Sequence, residues 1–228
     1  MKNLCDFIID RLAPARIIGI TGSGGKTQSL IELASAFKAR GKSVLMSTTT
    51  KLESPTCRDF KADKYFYDKS IFDYKPKKGE KVLFGYKEWK IISPPVTELK
   101  ELTAIYDVVI FEADGARNLP LKIHSDRDPV IPAFTEGIIS VVGFFPYKEK
   151  VTEKNCFGAI NYKGIVDADF YNYYLRLEQG PEKKLIENSV VLFNEADIMK
   201  RDELEKVKNT VKSNYDIIYG SMLENKKY

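Results

Sequence analysis

The chain has 228 residues, with 36 Lys and Arg against 32 Asp and Glu, so its net charge at pH 7 is only +4. This mild charge, spread along the sequence, gives no indication of nucleic-acid binding, and a hydrophobic fraction of 43% excludes a disordered chain. The three cysteines include no C-x-x-C pair, no apolar run is long enough to span a membrane, and the charged start is unlike a signal peptide. The sequence therefore predicts a cytoplasmic protein with reduced cysteines and without a membrane segment.

Strand and helix patterns alternate along the chain. In chain order, the sequence predicts a helix at 3–12, a strand at 16–21, a helix at 26–40, strands at 43–49 and 65–67, a hairpin within 82–93, a helix at 96–105, strands at 106–112 and 137–145, a helix at 167–178, a strand at 189–194, a helix at 201–213 and a last strand at 215–220. Such alternation indicates βαβ units and a mostly parallel sheet covered by helices on both faces. We therefore expect one α/β domain over 1–228, with a β-rich insertion around 55–95.

The string RIIGITGSGGKT joins an apolar strand, a glycine cluster and a Lys-Thr pair, in the order of a phosphate-binding loop. Gly22, Gly24 and Gly25 lack a Cβ, so we expect them to take positive φ and turn their N–H groups toward an anion. Lys26 can reach the β- and γ-phosphates, and the Thr27 hydroxyl can bind Mg²⁺. The candidate nucleotide-binding residues here are Thr21, Gly22, Ser23, Gly24, Gly25, Lys26, Thr27 and Gln28.

This loop departs by one position from the strict P-loop pattern. In G-x-x-x-x-G-K-[ST] the first glycine would fall at Ile20, whereas this chain has Gly19 one step earlier. The string resembles the G-x-T-G-x-x-G-K-[ST] loop of Mur-type ligases. The alternative is a glycine-rich turn between a strand and a helix, followed by a Lys-Thr pair without a role.

Two carboxylates, Glu112 and Asp114, lie at the end of the apolar strand YDVVIFE. Mg²⁺ takes one or two protein carboxylates together with phosphate oxygens, so either Glu112 or Asp114 can hold the metal while the other orients water or accepts a proton. The backbone N–H of Gly115 can contact a γ-phosphate. Arg117 can neutralise charge in the transition state, or it can be an ordinary surface arginine. The predicted catalytic residues are Lys26, Glu112, Asp114 and Arg117.

Other residues near these strand ends carry weaker expectations. Thr49 or Thr50, after the second strand, can place a hydroxyl near the metal, although threonine is also a common strand residue. Lys122 can point into the same cleft. His124, the only histidine, is expected to be a loop residue rather than a metal ligand.

The string FNEAD resembles N-K-x-D, the guanine-recognition motif of GTPases. Asp197 would accept hydrogen bonds from the guanine ring, and Asn194 would stand beside it. Glu195 replaces the usual lysine, which leaves ATP and GTP both open. An equally good interpretation makes Asp197 the N-cap of the following helix.

Taken together, these motifs resemble the selenium-dependent hydroxylase accessory proteins of the YqeC type. The matching stretches are GITGSGGKT at 19–27, STTTK at 47–51, EADGARNLPLK at 112–122, DPVIP at 128–132 and VVLFNEAD at 190–197. The resemblance implies a P-loop NTPase fold and a role in the maturation of selenium-dependent molybdenum hydroxylases, with that hydroxylase or its cofactor as partner. A wider likeness to metallocofactor-insertion GTPases, through the E-x-x-G pattern of Glu112 and Gly115, implies a homodimer.

The leading hypothesis from the sequence is a Mg²⁺-dependent protein that binds ATP or GTP and hydrolyses it slowly. One alternative is an ATP-dependent ligase or transferase acting on a small acid or a selenium donor. Another is a nucleotide-gated binding module without catalysis.

Overall fold

A computed structural model describes residues 3–158, 162–177, 180–182 and 184–228. The α-helices are α1 (Leu4–Leu12), α2 (Lys26–Ala39), α3 (Val96–Leu102), α4 (Ala168–Arg176) and α5 (Arg201–Thr210). The strands are β1 (Ile17–Gly22), β2 (Val44–Thr48), β3 (Lys51–Leu52), β4 (Lys64–Phe66), β5 (Lys81–Phe84), β6 (Tyr86–Lys87), β7 (Ile91–Ile92), β8 (Val108–Glu112), β9 (Leu121–Lys122), β10 (Gly137–Gly143), β11 (Cys156–Phe157), β12 (Ser189–Asn194), β13 (Asp216–Ser221) and β14 (Lys226–Lys227).

Nine of these strands form one sheet, in the order β14-β13-β12-β10-β1-β8-β2-β5-β4. All neighbouring pairs are parallel except β13 and β14. The predicted α/β class and mostly parallel sheet are confirmed. No helix in the part of the chain that the structure describes is long and apolar enough to cross a membrane.

Helices cover both faces of this sheet, as predicted. Side chains alternate between the two faces along a strand, so Ile18 and Ile20 of β1 pack in the core cluster that contains α1 and α2. Ile17 points the other way and packs with α3. On that same face, α4 and α5 pack against β10, β12 and β13. With both faces covered, the central strands are buried throughout, which explains their continuous apolar runs.

The predicted inserted segment is partly built into the main sheet. Strands β4 and β5 extend the sheet at one edge, while β3, β7 and β6 form a separate three-stranded antiparallel sheet. The predicted hairpin within 82–93 is therefore shorter: residues 82–84 belong to β5, and only β6 and β7 pair as a hairpin. Gly85 lies at this break, where a Cβ would come within 2.4 Å of the Ile91 side chain.

Some helices end a few residues before their predicted ends. Helix α3 ends at Leu102 and α5 at Thr210, each three residues before its predicted end. After α5 the chain becomes extended at Val211, which is buried in the core cluster that contains α4 and α5. Residue 178, the predicted end of the fourth helix, lies outside the described residues, and α4 ends at Arg176.

Candidate functional site

A cleft of about 850 Å³ opens at the carboxyl ends of the central strands. Strand β1 lies between β8 and β10, and the chain builds the β8 side of the sheet before it crosses to the β10 side. Ligands of open α/β sheets bind at such a reversal of strand order. The topology therefore places the loop after β1 at the expected position of a ligand.

The cleft gathers most of the predicted site residues. Those that line it are Ser23, Gly24, Gly25, Lys26, Thr27, Gln28, Glu112, Asp114, Gly115 and Arg117. Those that do not line it are Thr21, Gly22, Thr49, Asn194 and Asp197.

The glycine loop, residues 22–27, has the backbone that its sequence predicts. Gly22, Gly24 and Gly25 have φ of 88°, 85° and 118°, which confirms the expected positive values. A Cβ on Gly24 would lie 2.4 Å from the Cα of Gly143, so only glycine fits this close approach. Helix α2 starts directly afterwards, and no side chain caps its first turn. Its first N–H groups and the positive end of its dipole therefore face the cleft, as an anion site requires.

Lys26 is held across the base of the glycine loop. Its ammonium group donates to the Gly22 carbonyl at 2.7 Å and lies 2.9 Å from Oδ1 of Asp114. The side chain is only 7% exposed. The lysine is thus fixed at the loop before any ligand arrives.

Asp114 is fully buried among donors. Its Oδ2 accepts from the Gly22 N–H at 2.8 Å and from Nε2 of His124 at 2.6 Å, and the Lys122 ammonium lies 4.0 Å away. Burial raises the pKa of this carboxyl, but the charge of Lys26, the His124 hydrogen bond and the charge of Lys122 outweigh burial and hold the pKa well below its usual range. Asp114 is therefore an ionised anchor for the lysine and the loop. His124 lies in a loop, as expected, but its contact with Asp114 was not predicted.

Glu112 and Asp114 each have one buried oxygen without a hydrogen bond among the described residues, but Oδ1 of Asp114 has the Lys26 ammonium at 2.9 Å, whereas Glu112 forms no ion pair. Glu112 ends β8, is 5% exposed, and its Oε1 has no hydrogen-bond partner among the described residues. Burial raises the pKa of Glu112, and the charge of Lys26 and a hydrogen bond from the Thr27 hydroxyl only partly oppose that rise. An orphaned carboxylate oxygen beside a threonine hydroxyl offers two oxygen ligands of the kind that Mg²⁺ prefers. Among the described residues no group of three His, Cys, Asp or Glu could hold a metal.

Two residues predicted near the cleft hold loops instead. The Thr49 hydroxyl donates to the Val130 carbonyl at 2.7 Å, and Thr49 is 8% exposed. The Lys122 ammonium is completely buried, with hydrogen bonds to the Gly115 carbonyl at 2.5 Å and to Oδ2 of Asp128 at 2.6 Å. Because burial and these bonds occupy its ammonium group, the expectation that Lys122 points into the cleft is wrong.

Gly115 and Arg117 also line the cleft, and both are exposed. A Cβ on Gly115 would meet nothing within 4 Å, so its backbone is open to the cleft. Arg117 has a left-handed backbone with φ of 51°, and its guanidinium lies 4.8 Å from the ring centre of Phe157. It lines the cleft without a carboxylate partner within 4.0 Å among the described residues.

Asn194 contacts the glycine loop through its carboxamide. Its Nδ2 donates to the Gly24 carbonyl at 2.8 Å, and its Oδ1 accepts from the Met222 N–H at 2.9 Å. Asp197 lies in a 3₁₀ turn and does not cap the following helix, whose N-cap residue is Lys200. The N-cap interpretation of Asp197 is therefore wrong.

Several cleft residues were not predicted. Phe145 lies in the wall with a 67% exposed ring, and its N–H donates to Oε2 of Glu195 at 2.8 Å. The inserted segment contributes Arg58 and Lys90, and Lys51 lies just before it, in β3. Lys51 directly follows the threonines at the end of the second strand, but nothing in the spacing of the insertion marks the other two cations.

The family model described as "YqeC protein" matches residues 18–159, which include the glycine loop, Glu112 and Asp114. The chain belongs to the YqeC family. This confirms the resemblance drawn from the motifs.

The family assignment agrees with a similar curated protein, "Uncharacterized protein YqeC" of Escherichia coli strain K12. The two are 29% identical over an alignment of 174 positions, and the match covers 68% of this chain. The matched region covers 64% of the length of that YqeC relative. No solved structure matches the chain.

Proposed function

We propose that this YqeC-family chain is a Mg²⁺-dependent nucleoside triphosphate-binding protein with a P-loop NTPase-like fold and slow hydrolysis. The observation that carries the proposal is the glycine loop. Three positive-φ glycines, the unblocked start of a 14-residue helix and a pre-positioned lysine occur at one strand end. This combination presents N–H groups and positive charge to a polyphosphate.

Each binding residue then has a defined task. The loop amides surround the phosphates, and the Lys26 ammonium, held in place by the ionised Asp114, donates to the β- and γ-phosphate oxygens. Asp114 also keeps the loop in shape through its hydrogen bond from Gly22. It is a positioning residue in this scheme.

Thr27 and Glu112 would hold the metal. Mg²⁺, when bound, neutralises part of the phosphate charge. Glu112 supplies the orphaned Oε1 and Thr27 its hydroxyl. We assign Glu112 rather than Asp114 to this task because the Asp114 carboxylate already has Gly22, His124 and Lys26 as partners.

Hydrolysis at this site is a nucleophilic displacement at the γ-phosphorus. A water oxygen attacks the γ-phosphorus, the bond from that phosphorus to the bridging β-phosphate oxygen breaks, and the diphosphate and inorganic phosphate leave. The attacking water gives up one proton, which ends on the phosphate released. Lys26 and the loop amides stabilise the charge that develops on the phosphate oxygens.

The same proposal includes an accessory role in the maturation of selenium-dependent molybdenum hydroxylases. Support for this role comes from family membership and from the resemblance of EADGARNLPLK and DPVIP to accessory proteins of that type. The direct test is to compare hydroxylase activation in cells that carry the wild-type chain and cells that carry Lys26→Ala.

A thermal-shift panel tests nucleotide binding. ATP, GTP and their diphosphates are compared with and without Mg²⁺. A ligand at 100 times its Kd stabilises the native state by about 2.7 kcal/mol, which in a chain of this size raises the melting temperature by about 5–10 °C. No shift with any of the nucleotides would refute the proposal.

Two variants locate the bound nucleotide. We expect Lys26→Ala to abolish binding in calorimetry, and Thr27→Ala to lose only the part of the affinity that depends on Mg²⁺. Lys64→Ala is the matched control, because Lys64 is exposed on β4 and lies outside the cleft. Unchanged affinity in Lys26→Ala would show that the nucleotide binds elsewhere.

The charge of the cleft favours a ligase or transferase as the second candidate function. Besides Lys26 and Arg58, the lining includes Lys51, Lys90 and Arg117, more cations than a Mg²⁺-bound triphosphate requires. An acidic acceptor could bind to these cationic side chains. Turnover that appears only when a small acidic acceptor is added would support this alternative, whereas turnover in water alone supports hydrolysis.

A further inference from the structure

Arg58 is brought to the cleft by the inserted segment, between β3 and β4. It shares the cleft wall with Lys26, Thr27 and Glu112, and its charge partly opposes the rise in the pKa of Glu112 that burial causes. The guanidinium therefore lies on the side of the glycine loop where Thr27 and Glu112 would hold the metal.

One hydrogen bond fixes the direction of this side chain. Nη2 of Arg58 donates to Oε1 of Gln28 at 2.9 Å, and Gln28 follows Thr27 in the first turn of α2. Gln28 is itself oriented, since its Nε2 donates to Oε1 of Glu32 at 2.9 Å. The arginine is thus held against the helix that starts at the phosphate loop.

The other two nitrogens of the Arg58 guanidinium, Nε and Nη1, lack a close hydrogen-bond partner among the described residues. Its Nε is buried without a hydrogen-bond partner among the described residues, and its ion pair with Glu53 is long, at 3.9 Å between Nη1 and Oε2. A guanidinium has five N–H donors in a planar fork that matches phosphate oxygens. Leaving donors unpaired in a partly buried position costs free energy unless a ligand completes them.

We propose that Arg58 is a catalytic residue that the chain supplies to its own nucleotide site, where the guanidinium stabilises the γ-phosphoryl group during transfer. This inference depends on the proposed function. An arginine in this role stabilises charge that develops in the transition state more than it stabilises the bound triphosphate. The inserted segment then has a specific task, which is to carry this cation to a site built by the main sheet.

The experiment separates binding from turnover. We expect Arg58→Ala to lower kcat for nucleotide hydrolysis by at least about 100-fold while Kd for the Mg²⁺-nucleotide changes less than about threefold. Added guanidinium ions should restore part of the lost rate. A second readout is the melting temperature with Mg²⁺, diphosphate and aluminium fluoride, which should rise above that with diphosphate alone in the wild type and not in Arg58→Ala.

Lys61→Ala controls for a purely structural role. Lys61 lies on the same segment and also contacts α2, through an ion pair with Glu32 at 3.2 Å, but it does not line the cleft. If Arg58 only fastens the segment to the helix, the Arg58 and Lys61 variants will lose similar thermal stability and will retain similar kcat. That result would overturn the proposal.

The other outcomes are also decisive. Wild-type protein that binds nucleotide but neither hydrolyses it nor gains stability with aluminium fluoride would refute the assignment of Arg58 and leave nucleotide binding intact. Wild-type protein that binds no nucleotide would refute both the proposed function and this inference.

Discussion

Replacement of Asn194 by alanine tests whether this residue holds the glycine loop together. Its carboxamide joins two distant backbone groups, the Gly24 carbonyl and the Met222 N–H, at 2.8 and 2.9 Å. The N-K-x-D resemblance instead gives Asn194 a place beside the nucleobase. The two roles predict different losses.

The size of the effect follows from the bonds removed. Two hydrogen bonds contribute about 1 kcal/mol each, and the N–H of Met222, a residue with no exposed surface, would remain buried without a partner at a further cost of about 1–3 kcal/mol. We expect Asn194→Ala to lower the free energy of unfolding by about 3–5 kcal/mol. In a chain of this size that corresponds to a fall in melting temperature of about 6–20 °C.

Urea unfolding followed by circular dichroism, without nucleotide, measures this loss directly. Asn209→Ala is the control, because Asn209 is exposed on α5 and the change should stay within about 0.5 kcal/mol. Asn194→Asp is a useful companion. It keeps an acceptor for Met222 but places a carboxylate oxygen against the Gly24 carbonyl, so it should also be destabilised at neutral pH and recover partly when acid protonates the carboxylate.

The refuting result is specific. If Asn194→Ala unfolds at the wild-type urea concentration and only its preference among nucleotides changes, then the carboxamide does not hold the loop, and the inference from the two hydrogen bonds fails. If both stability and the affinity for all nucleotides fall, the loop-holding role is supported.

Three further expectations can be checked independently. Native protein at pH 8 should react with a thiol reagent at Cys57 alone, since burial raises the pKa of Cys5 to about 12 and that of Cys156 to about 11. Mass spectrometry before and after denaturation measures which thiols are labelled. Rapid labelling of either buried thiol in the native protein would contradict the expectation. Gly22→Ala should lower the free energy of unfolding measured in urea by about 2–5 kcal/mol, because a Cβ at φ of 88° would lie 2.2 Å from a β10 carbonyl oxygen. A variant as stable as the wild type would show that Gly22 does not need this left-handed backbone. Asp197→Asn should weaken GTP binding in calorimetry and hardly affect ATP, whereas equal binding of both nucleotides by the wild type would remove the reason for this expectation.

Local patterns in the sequence were enough for the architecture. Apolar runs separated by helical periodicity predicted the α/β sheet and its covered faces, because burial on both sides requires continuous apolar strands. The positive φ values of Gly22, Gly24 and Gly25 were also predictable, since only glycine combines that backbone with such close approach. The family resemblance came from the same short strings.

Only the tertiary structure determines which residue takes which role in the site. Asp114 contacts Gly22 across 92 positions, and Asn194 contacts Gly24 across 170, so no spacing rule connects them. Glu112 and Asp114 look equivalent as neighbours in the sequence, but their side chains meet different surroundings. Glu112 keeps a buried oxygen with no hydrogen bond and no ion pair among the described residues, whereas Asp114 is held by the Gly22 N–H, His124 and the Lys26 ammonium. Arg58 reaches the same cleft for a similar reason, because the packing of the inserted segment against α2, rather than any motif, sets where its charge lies.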